Sequence, residues 1–444
     1  MLTELGSSIP YEVIKDPIYG YIRLYEHEGR IVNTPSFQRL RRIKQLYSGQ
    51  FVYPGATHTR FSHSLGVMHL SGLFISQILE PYSTDIPKDT FLHYFFLMRL
   101  WGLTHDLGHG PFSHIFDQAV LEKQGINHEY MSSKIVQEDD GIADIIGTTL
   151  GRFSITPKTL SEYLGKSTRE EWTSAGNIGN TNHSEMALYY VLKGFYSVDI
   201  IDYLLRDNYN TGAGYGSFDW QRLILHSHLH KNEIALDKKA RDALDALLLS
   251  RVFSFNTIYY HRWSRAVDHL TRDFLEKADK KIDFRNYTQD AEKYSILDEE
   301  SIFHMKEIKR IPEREMLLKR QIPFREIDEV KWGLPVEIPL TADDIERKMS
   351  QRLGSKVPFG AYFVDTPNLP LNPMLGERQV CILDKSESPP VESYVSIRDT
   401  SWGEMADFAW NVRLYLNLNH KASETEIKSA FDAVVKGGKR DSFY

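Results

Sequence analysis

A single cysteine, Cys381, stands among 444 residues. One thiol makes no internal disulfide framework, so a reducing compartment is expected, and the cytoplasm is the expected location. Long hydrophobic runs are missing too. The most apolar stretch, FLHYFFLMRLWGL (91–103), is too short for a bilayer and carries Arg99. The opening MLTELGSSIPYEVIK has no charged head followed by an apolar core, so no membrane span or anchor is expected. Positive charge is scarce: 53 Lys and Arg against 60 Asp and Glu leave a formal net charge of −7. Such a surface displaces few counterions from nucleic acid, so no strong nucleic-acid binding is expected, and an anionic ligand must be held by local cations. There is no internal repeat.

With 41% hydrophobic residues, the chain can bury one large core with attachments or two of ordinary size. Residues 11–25, YEVIKDPIYGYIRLY, place Asp16-Pro17 and Gly20 between β-prone positions and predict a hairpin. From Thr34 the pattern turns helical. Thr34 can cap, Pro35 suits the first helical position, and Phe37, Leu40, Ile43 and Leu46 share a face. Further helices are predicted at about 61–79, 90–107 and 113–123, and within 128–150, 184–206 and 240–276. The stretch 165–182, GKSTREEWTSAGNIGNTN, is aperiodic and polar and reads as a surface loop, a candidate lid. Beyond Leu275 the text becomes highly charged, KADKKIDFRNYTQDAEKY (277–294), and reads as solvated linker or surface helix. The remainder mixes alternating pieces (AYFVD, RQVCILD, SYVSIRD) with capped helices after Thr341 and Ser423, the latter with capping-box spacing to Glu426. The expected division is 1–275, with a helical core at about 30–215, and an accessory α+β segment, 276–444, for oligomerisation or regulation.

The chemistry is concentrated in RFSHSLGV (60–67), THDLGHGPFSH (104–114), NHEYM (127–131) and SVDIIDYLLRD (197–207). A lone histidine on an apolar helix is ordinarily a packing residue. Adjacent His105 and Asp106 at the end of an apolar helix differ, because burying an imidazole beside a carboxylate is costly unless something compensates both. A divalent cation does so, and His63 and Asp199 from other helices would complete a mixed N/O ligand set with open positions. Asp199, Tyr203 and Arg206 follow at intervals of four and three residues, so all three can face one cavity. The plainer alternative is that Arg206 and Asp207 form a surface ion pair. His58 and His69 read as packing or capping residues, His183 as solvated, and His226, His228 and His230 as an exposed turn or strand face. The basic run RLRRIK (39–44) can be a solvated helix face.

Taken in order, RFSHSLGV, HDLGHGPFSH and VDxxDYLLRD resemble the HD-domain phosphohydrolases, specifically their dNTP triphosphohydrolase branch, over about residues 10–275. The resemblance implies a mainly α multi-helix bundle, with the small N-terminal hairpin and the C-terminal α+β segment added to it. It implies a divalent metal, whether Mn, Fe, Zn, Mg, Co or Ni, held by His63, His105, Asp106 and Asp199. His109, His114 and His128 match histidines near the phosphates, with His114 as general acid, and Asp117 matches an acidic residue orienting a neighbouring histidine. Arg60, Tyr203 and Asp207 match phosphate- or sugar-facing positions, and Gln45 a residue beside the sugar; Arg206 joins them on its helical spacing. The expected partner is a nucleotide, most directly a dNTP cleaved at the α-phosphorus to deoxynucleoside and triphosphate. Relatives are commonly homo-oligomers with nucleotide sites at subunit contacts, so a dimer or tetramer is expected, and 39–44 is a secondary candidate for such a contact.

The chain departs from that pattern in places. Ile200 stands where the dNTPases carry a phosphate-binding Lys, and Asn33 where a regulatory-site Asp is found. In FNTIYYHRWSRAVDHL (255–270), Tyr259 and Val267 fall opposite an Arg for phosphate and a Tyr that rejects ribonucleotides. Two alternatives follow: a nucleotide phosphatase or phosphodiesterase of the same superfamily, and a non-catalytic nucleotide sensor. A cyclic-dinucleotide enzyme is disfavoured, because no HHExxDGxGYP run follows the dyad. The intact ligand set together with an acid argues against a sensor.

Overall fold

The computed structural model describes residues 11–166, 168, 170–172, 176–332, 340–366, 379–395 and 410–435. It is mainly helical, with small sheets at its edges. Strands β1 (Tyr11–Asp16) and β2 (Gly20–Tyr25) form the expected hairpin. Its turn is closed by Asp16, whose Oδ1 accepts from the amides of Ile18 and Tyr19. The Thr34 cap and Pro35 start a helix as predicted, but it runs only to Gln38 and tightens into a 3-10 turn through Arg42.

The frame of the body is α1 (Arg60–Leu79) against α2 (Lys88–Thr104), with α3 (His128–Glu138) and α4 (Val198–Thr211) around them. Both α1 and α2 are apolar on nearly every side because they are buried on nearly every side, as a central helix must be. Fully buried rings such as Phe37, Phe74 and Phe96 each contribute roughly 1.5–3 kcal/mol by leaving water. The segment predicted as one helix at 113–123 is three short pieces. It is α over His114–Phe116, π over Asp117–Leu121 and 3-10 over Glu122–Gln124.

Next come the pair β3 (Ser227–His230) and β4 (Glu233–Asp237), then α5 (Arg241–Ser254) and α6 (Arg262–Ile282), joined by a π turn at Phe255–Tyr259. The charged stretch after α6 is not simply solvated. It buries Phe284, Ala291 and Tyr294 in the main core, and the Tyr294 hydroxyl donates to Gly108 O at 2.7 Å. Its charged residues are exposed or half-buried, and the few apolar residues between them do the docking.

Strand β5 (Phe324–Trp332) opens a separate three-stranded antiparallel sheet. It is completed by β6 (Tyr362–Asp365) and, centrally, by a later strand of the chain. Between β5 and β6 runs α7 (Ala342–Leu353), capped by Thr341 as expected. Strands β7 (Val380–Asp384) and β8 (Val391–Val395) return to the body, β7 adding in parallel to β4. The central strand is β9 (Trp410–Asn417), followed by α8 (Glu424–Val435), whose Glu426 amide donates to Ser423 Oγ. Alternation along β9 divides its side chains: Val412, Leu414 and Leu416 join α7 and α8 in a second core, whereas Tyr415 belongs to the main one. Parts of the candidate lid (167, 169 and 173–175) and the end of SYVSIRD lie outside the described residues. Among the described residues, no helix is long and apolar enough to cross a membrane.

Candidate active site

Helix α1 supplies Arg60 and His63, the end of α2 supplies His105 and Asp106, and α4 supplies Asp199. Nε2 of His63 lies 3.1 Å from Asp199 Oδ1 and 3.6 Å from Asp106 Oδ2. Nε2 of His105 lies 3.3 Å from Asp106 Oδ1 and 4.0 Å from Asp199 Oδ1. The opposite ring nitrogens are committed elsewhere: His63 Nδ1 is 2.8 Å from Asp202 Oδ2, and His105 Nδ1 is 2.9 Å from Gly102 O. A neutral ring donating at Nδ1 presents a lone pair at Nε2, so imidazole lone pairs and carboxylate oxygens converge on one point. His105 Nε2 is buried without a hydrogen-bond partner, and His63, His105 and Asp199 each place a ligand atom within 4.8 Å of the others. Burial alone would push His63 down, yet its hydrogen bonds to Asp199 and Asp202 and the nearby Asp106 outweigh burial and raise its pKa to about 10. The point demands positive charge. A divalent cation fits: two imidazoles and two carboxylates are a suitable donor set, and imidazoles oriented through their second nitrogen are the usual arrangement at metals.

Asp106 also faces a second cluster. Its Oδ2 accepts from Arg60 Nη1 at 2.5 Å, and its Oδ1 lies 3.5 Å from His109 Nε2. Burial acts to raise the Asp106 carboxyl, but Arg60 and the surrounding histidines hold it well below the ordinary range. His109, His114 and His128 gather on Asp117, whose Oδ2 is 2.6 Å from His128 Nδ1, 3.5 Å from His114 Nδ1 and 3.7 Å from His109 Nδ1. The His109 and His128 rings stack with centroids 3.8 Å apart. Burial, with Arg60 next, pushes His109 well below its usual pKa, whereas the hydrogen bond to Asp117 outweighs burial and raises His128. His114 is the exposed member of the group. His109 Nδ1 and Asp117 Oδ1 are buried without partners, and such orphaned groups mark a catalytic or ion-binding place more often than a packing error.

The local sequence explains the placement. Gly108 is required where His128 O would stand 2.0 Å from an added Cβ. The turn GPFS carries Phe112 and Ser113 at φ 66° and 56°, a left-handed conformation costing non-glycine residues roughly 1–3 kcal/mol each. Phe112 is pinned by the rings of Tyr47 and Phe303. Ser113 Oγ accepts from Arg60 Nε and donates to Lys44 O. The turn sets the His114 ring beside His109 and His128, with centroids 4.8 and 5.6 Å away.

The third wall is built on α4. Asp199 and Tyr203 are partly exposed, while Asp202 and Arg206, one stripe over, are fully buried. Arg206 therefore does not face the cavity as its spacing predicted. It grips both Asp202 oxygens at 2.8 and 2.9 Å and Asp16 Oδ2 at 3.0 Å, so its role is to position. It forms no surface pair with Asp207 either. Asp207 is buried, with His58 Nε2 2.7 Å from Oδ1 and the Tyr259 hydroxyl donating to Oδ2 at 2.6 Å. The Tyr203 hydroxyl accepts from Arg251 Nη1 at 2.9 Å. Gln45 is half-buried, its Oε1 unpartnered and its backbone N–H donating to His58 O.

Sequence reasoning missed Asp202, Arg251 and the part His58 plays at Asp207. The i,i+4 spacing of Asp202 to Arg206 was the available signal for the first. Of the two positions singled out in 255–270, Val267 is in the core, Tyr259 reaches Asp207 with its hydroxyl, and the Arg brought to this wall is Arg251. Of the remaining histidines, His69 is half-buried beside Tyr19, as a packing residue can be. His183 rests on Tyr82. His228 and His230 lie half-buried on β3.

Among known proteins, the chain is similar to deoxynucleoside triphosphate triphosphohydrolases. The deoxynucleoside triphosphate triphosphohydrolase SAMHD1 of Gallus gallus is 31% identical over 289 residues, 60% of this chain and 45% of the relative. The SAMHD1 homolog of Dictyostelium discoideum is 29% identical over 322 residues, 70% of this chain and 58% of the relative. The chain thus resembles proteins of the HD-domain superfamily. An uncharacterized protein of Methanocaldococcus jannaschii is 31% identical over 284 residues, 62% of this chain and 52% of its own. The chain spans about half the length of the curated relatives it matches. Residues 218–393 match the HD associated region. That region includes α5 and the π turn, and so supplies Arg251 and Tyr259.

Proposed function

We propose that this HD-domain protein is a metal-dependent phosphohydrolase whose substrate is a deoxynucleoside triphosphate, converted with water to deoxynucleoside and triphosphate. The observation that carries the reading is Asp106, which one side chain places between the His63, His105 and Asp199 group and the His109, His114, Asp117 and His128 group. His63, His105, Asp106 and Asp199 would hold a divalent cation, which when bound neutralises phosphate charge and makes water acidic enough to supply hydroxide near neutral pH. Arg60 offers local positive charge to the phosphate. The water oxygen attacks the α-phosphorus, and the bond from phosphorus to the sugar 5′ oxygen breaks. His114, held by Asp117, donates a proton to that oxygen, and His128 and His109 are placed to hand protons on. Tyr203, Asp207, Arg251 and Tyr259 would receive the nucleoside.

Ile200 gives a specific reason to keep a second reading, a phosphatase or phosphodiesterase acting on nucleotides. An apolar side chain replaces a cation of the dNTPases there, and less cationic help suits a substrate with fewer phosphates. One experiment separates them: metal-free protein is supplied with Mn, Fe, Mg, Co or Zn, given dNTPs, NTPs and monophosphates, and its products are identified. Triphosphate from dNTPs is expected. Orthophosphate as the product would favour the second reading, and no cleavage with any metal would end both.

A further inference from the structure

Tyr259, whose hydroxyl meets Asp207, is the last residue of the π turn between α5 and α6. A π turn carries one residue more than the helix would, re-aims the side chains around it and recurs at functional sites. Three carbonyls of this segment are held from outside it. Thr257 O accepts from the Tyr53 hydroxyl at 2.7 Å, Tyr260 O from Arg413 Nη1 in a short bond, and Arg262 O from the Tyr415 hydroxyl at 2.9 Å. Arg413 and Tyr415 are two residues apart on β9, hence on one face of the strand, the face turned away from the second core. Neither is loose. Arg413 pairs with Glu329 at 2.8 Å and Glu326 at 3.3 Å on β5, and the Tyr415 ring stacks parallel on Phe363 of β6 with centroids 4.5 Å apart. At the start of α6, Arg265 is gripped by Asp365 of β6 at 2.6 Å. Every strand of the small sheet thus contributes to the grip.

We propose that Arg413 and Tyr415 are positioning residues: the small sheet latches the π turn and thereby fixes the Tyr259 hydroxyl on Asp207, setting how tightly the nucleoside part of the substrate is held. The inference rests on the reading of Tyr203, Asp207 and Tyr259 as the nucleoside-facing wall. Substrate affinity then depends on a sheet that touches no substrate. Whatever displaces that sheet weakens binding without touching the histidines.

The test uses the full chain with Tyr415→Phe, which keeps the stacked ring and removes one hydroxyl, and Arg413→Lys, which keeps the charge facing the glutamates. Amide hydrogen exchange over 255–262 is measured beside steady-state kinetics with a dNTP, in the wild-type and Tyr259→Phe backgrounds. The expected result is exchange at least several-fold faster in that segment, with KM raised about three- to tenfold and kcat within twofold. In the Tyr259→Phe background the KM effect of Tyr415→Phe should vanish, which a merely structural loss would not do. Unchanged exchange, or KM effects that add in the double variant, would overturn the latch. If the wild-type chain cleaves no nucleotide, the functional reading falls, and exchange alone decides whether the sheet holds the turn.

Discussion

The two histidine clusters on either side of Asp106 contain the same chemical parts and are built in opposite ways. On one side, His63 and His105 are fixed through Nδ1 by Asp202 and a main-chain carbonyl, and Asp202 is itself clamped by Arg206 and, through it, Asp16. On the other side, three imidazoles crowd a single carboxylate, Asp117, at distances from 2.6 to 3.7 Å, and the outermost, His114, is open to solvent. A site held from behind with converging lone pairs is suited to a cation. A site with more imidazoles than carboxylate oxygens, one of them open to solvent, is suited to passing a proton. The difference teaches that metal binding and proton delivery should be separable by mutation, with Asp106 as the residue that belongs to both.

The largest effect should follow removal of that shared residue. Asp106→Ala leaves Arg60 buried and unpaired, a loss worth about 3–5 kcal/mol of stability. It should also abolish both metal occupancy and turnover, read by elemental analysis, calorimetry and product formation. A variant retaining half of either function would show that the clusters do not share Asp106.

Next comes the support behind His63. Asp202→Asn keeps the shape but weakens the orientation of the imidazole, and a roughly 10- to 100-fold loss of metal affinity is expected, measured by titration of metal-free protein. Room for that carboxylate is provided by Gly66, where a Cβ would lie 1.9 Å from Asp202 Oδ1. If Asp202→Asn binds metal like the wild type, the rigid half of the comparison loses its foundation.

The smallest effect concerns the support of the histidine turn. Glu299 accepts from the Lys44 amide, and Lys44 O in turn holds Ser113. Burial raises the Glu299 pKa to about 7 from an ordinary 4.5. A raised folded pKa means that the stabilising contribution is complete below about 4.5 and is lost as pH rises through about 7. Glu299→Gln, which stays neutral, should therefore melt close to the wild type at pH 5 and above it at pH 8, by at most about 3 kcal/mol. Equal pH dependence in the two proteins would show that Glu299 is ionised at little cost.

Much of this was legible in the residues. Caps at Thr34, Thr341 and Ser423 announced their helices, α1 began and ended within a residue of expectation, and the order of the motifs pointed to four side chains, His63, His105, Asp106 and Asp199, that the fold brings together. What was not legible has physical reasons. Spacing places Asp199, Tyr203 and Arg206 on one side of a helix but cannot say which stripe meets the opening; burial of Asp202 and Arg206 decided it. Arg251 precedes the stretch 255–270 in which the cation was sought, and only the contact of its guanidinium with the Tyr203 hydroxyl brings it to this wall. β9 escaped notice because buried Arg413 interrupts its apolar pattern, and its charge is satisfied only by Glu326 and Glu329 from β5, distant in sequence.

The separation of the clusters is tested most directly by metal content and turnover of Asp199→Ala and His114→Ala, loaded with the same metal and measured side by side. Asp199→Ala should emerge without metal and without activity. His114→Ala should hold metal as the wild type does while losing turnover by about 10²–10⁴-fold. Metal retained in the first variant, or lost from the second, would contradict the division of labour proposed for this site.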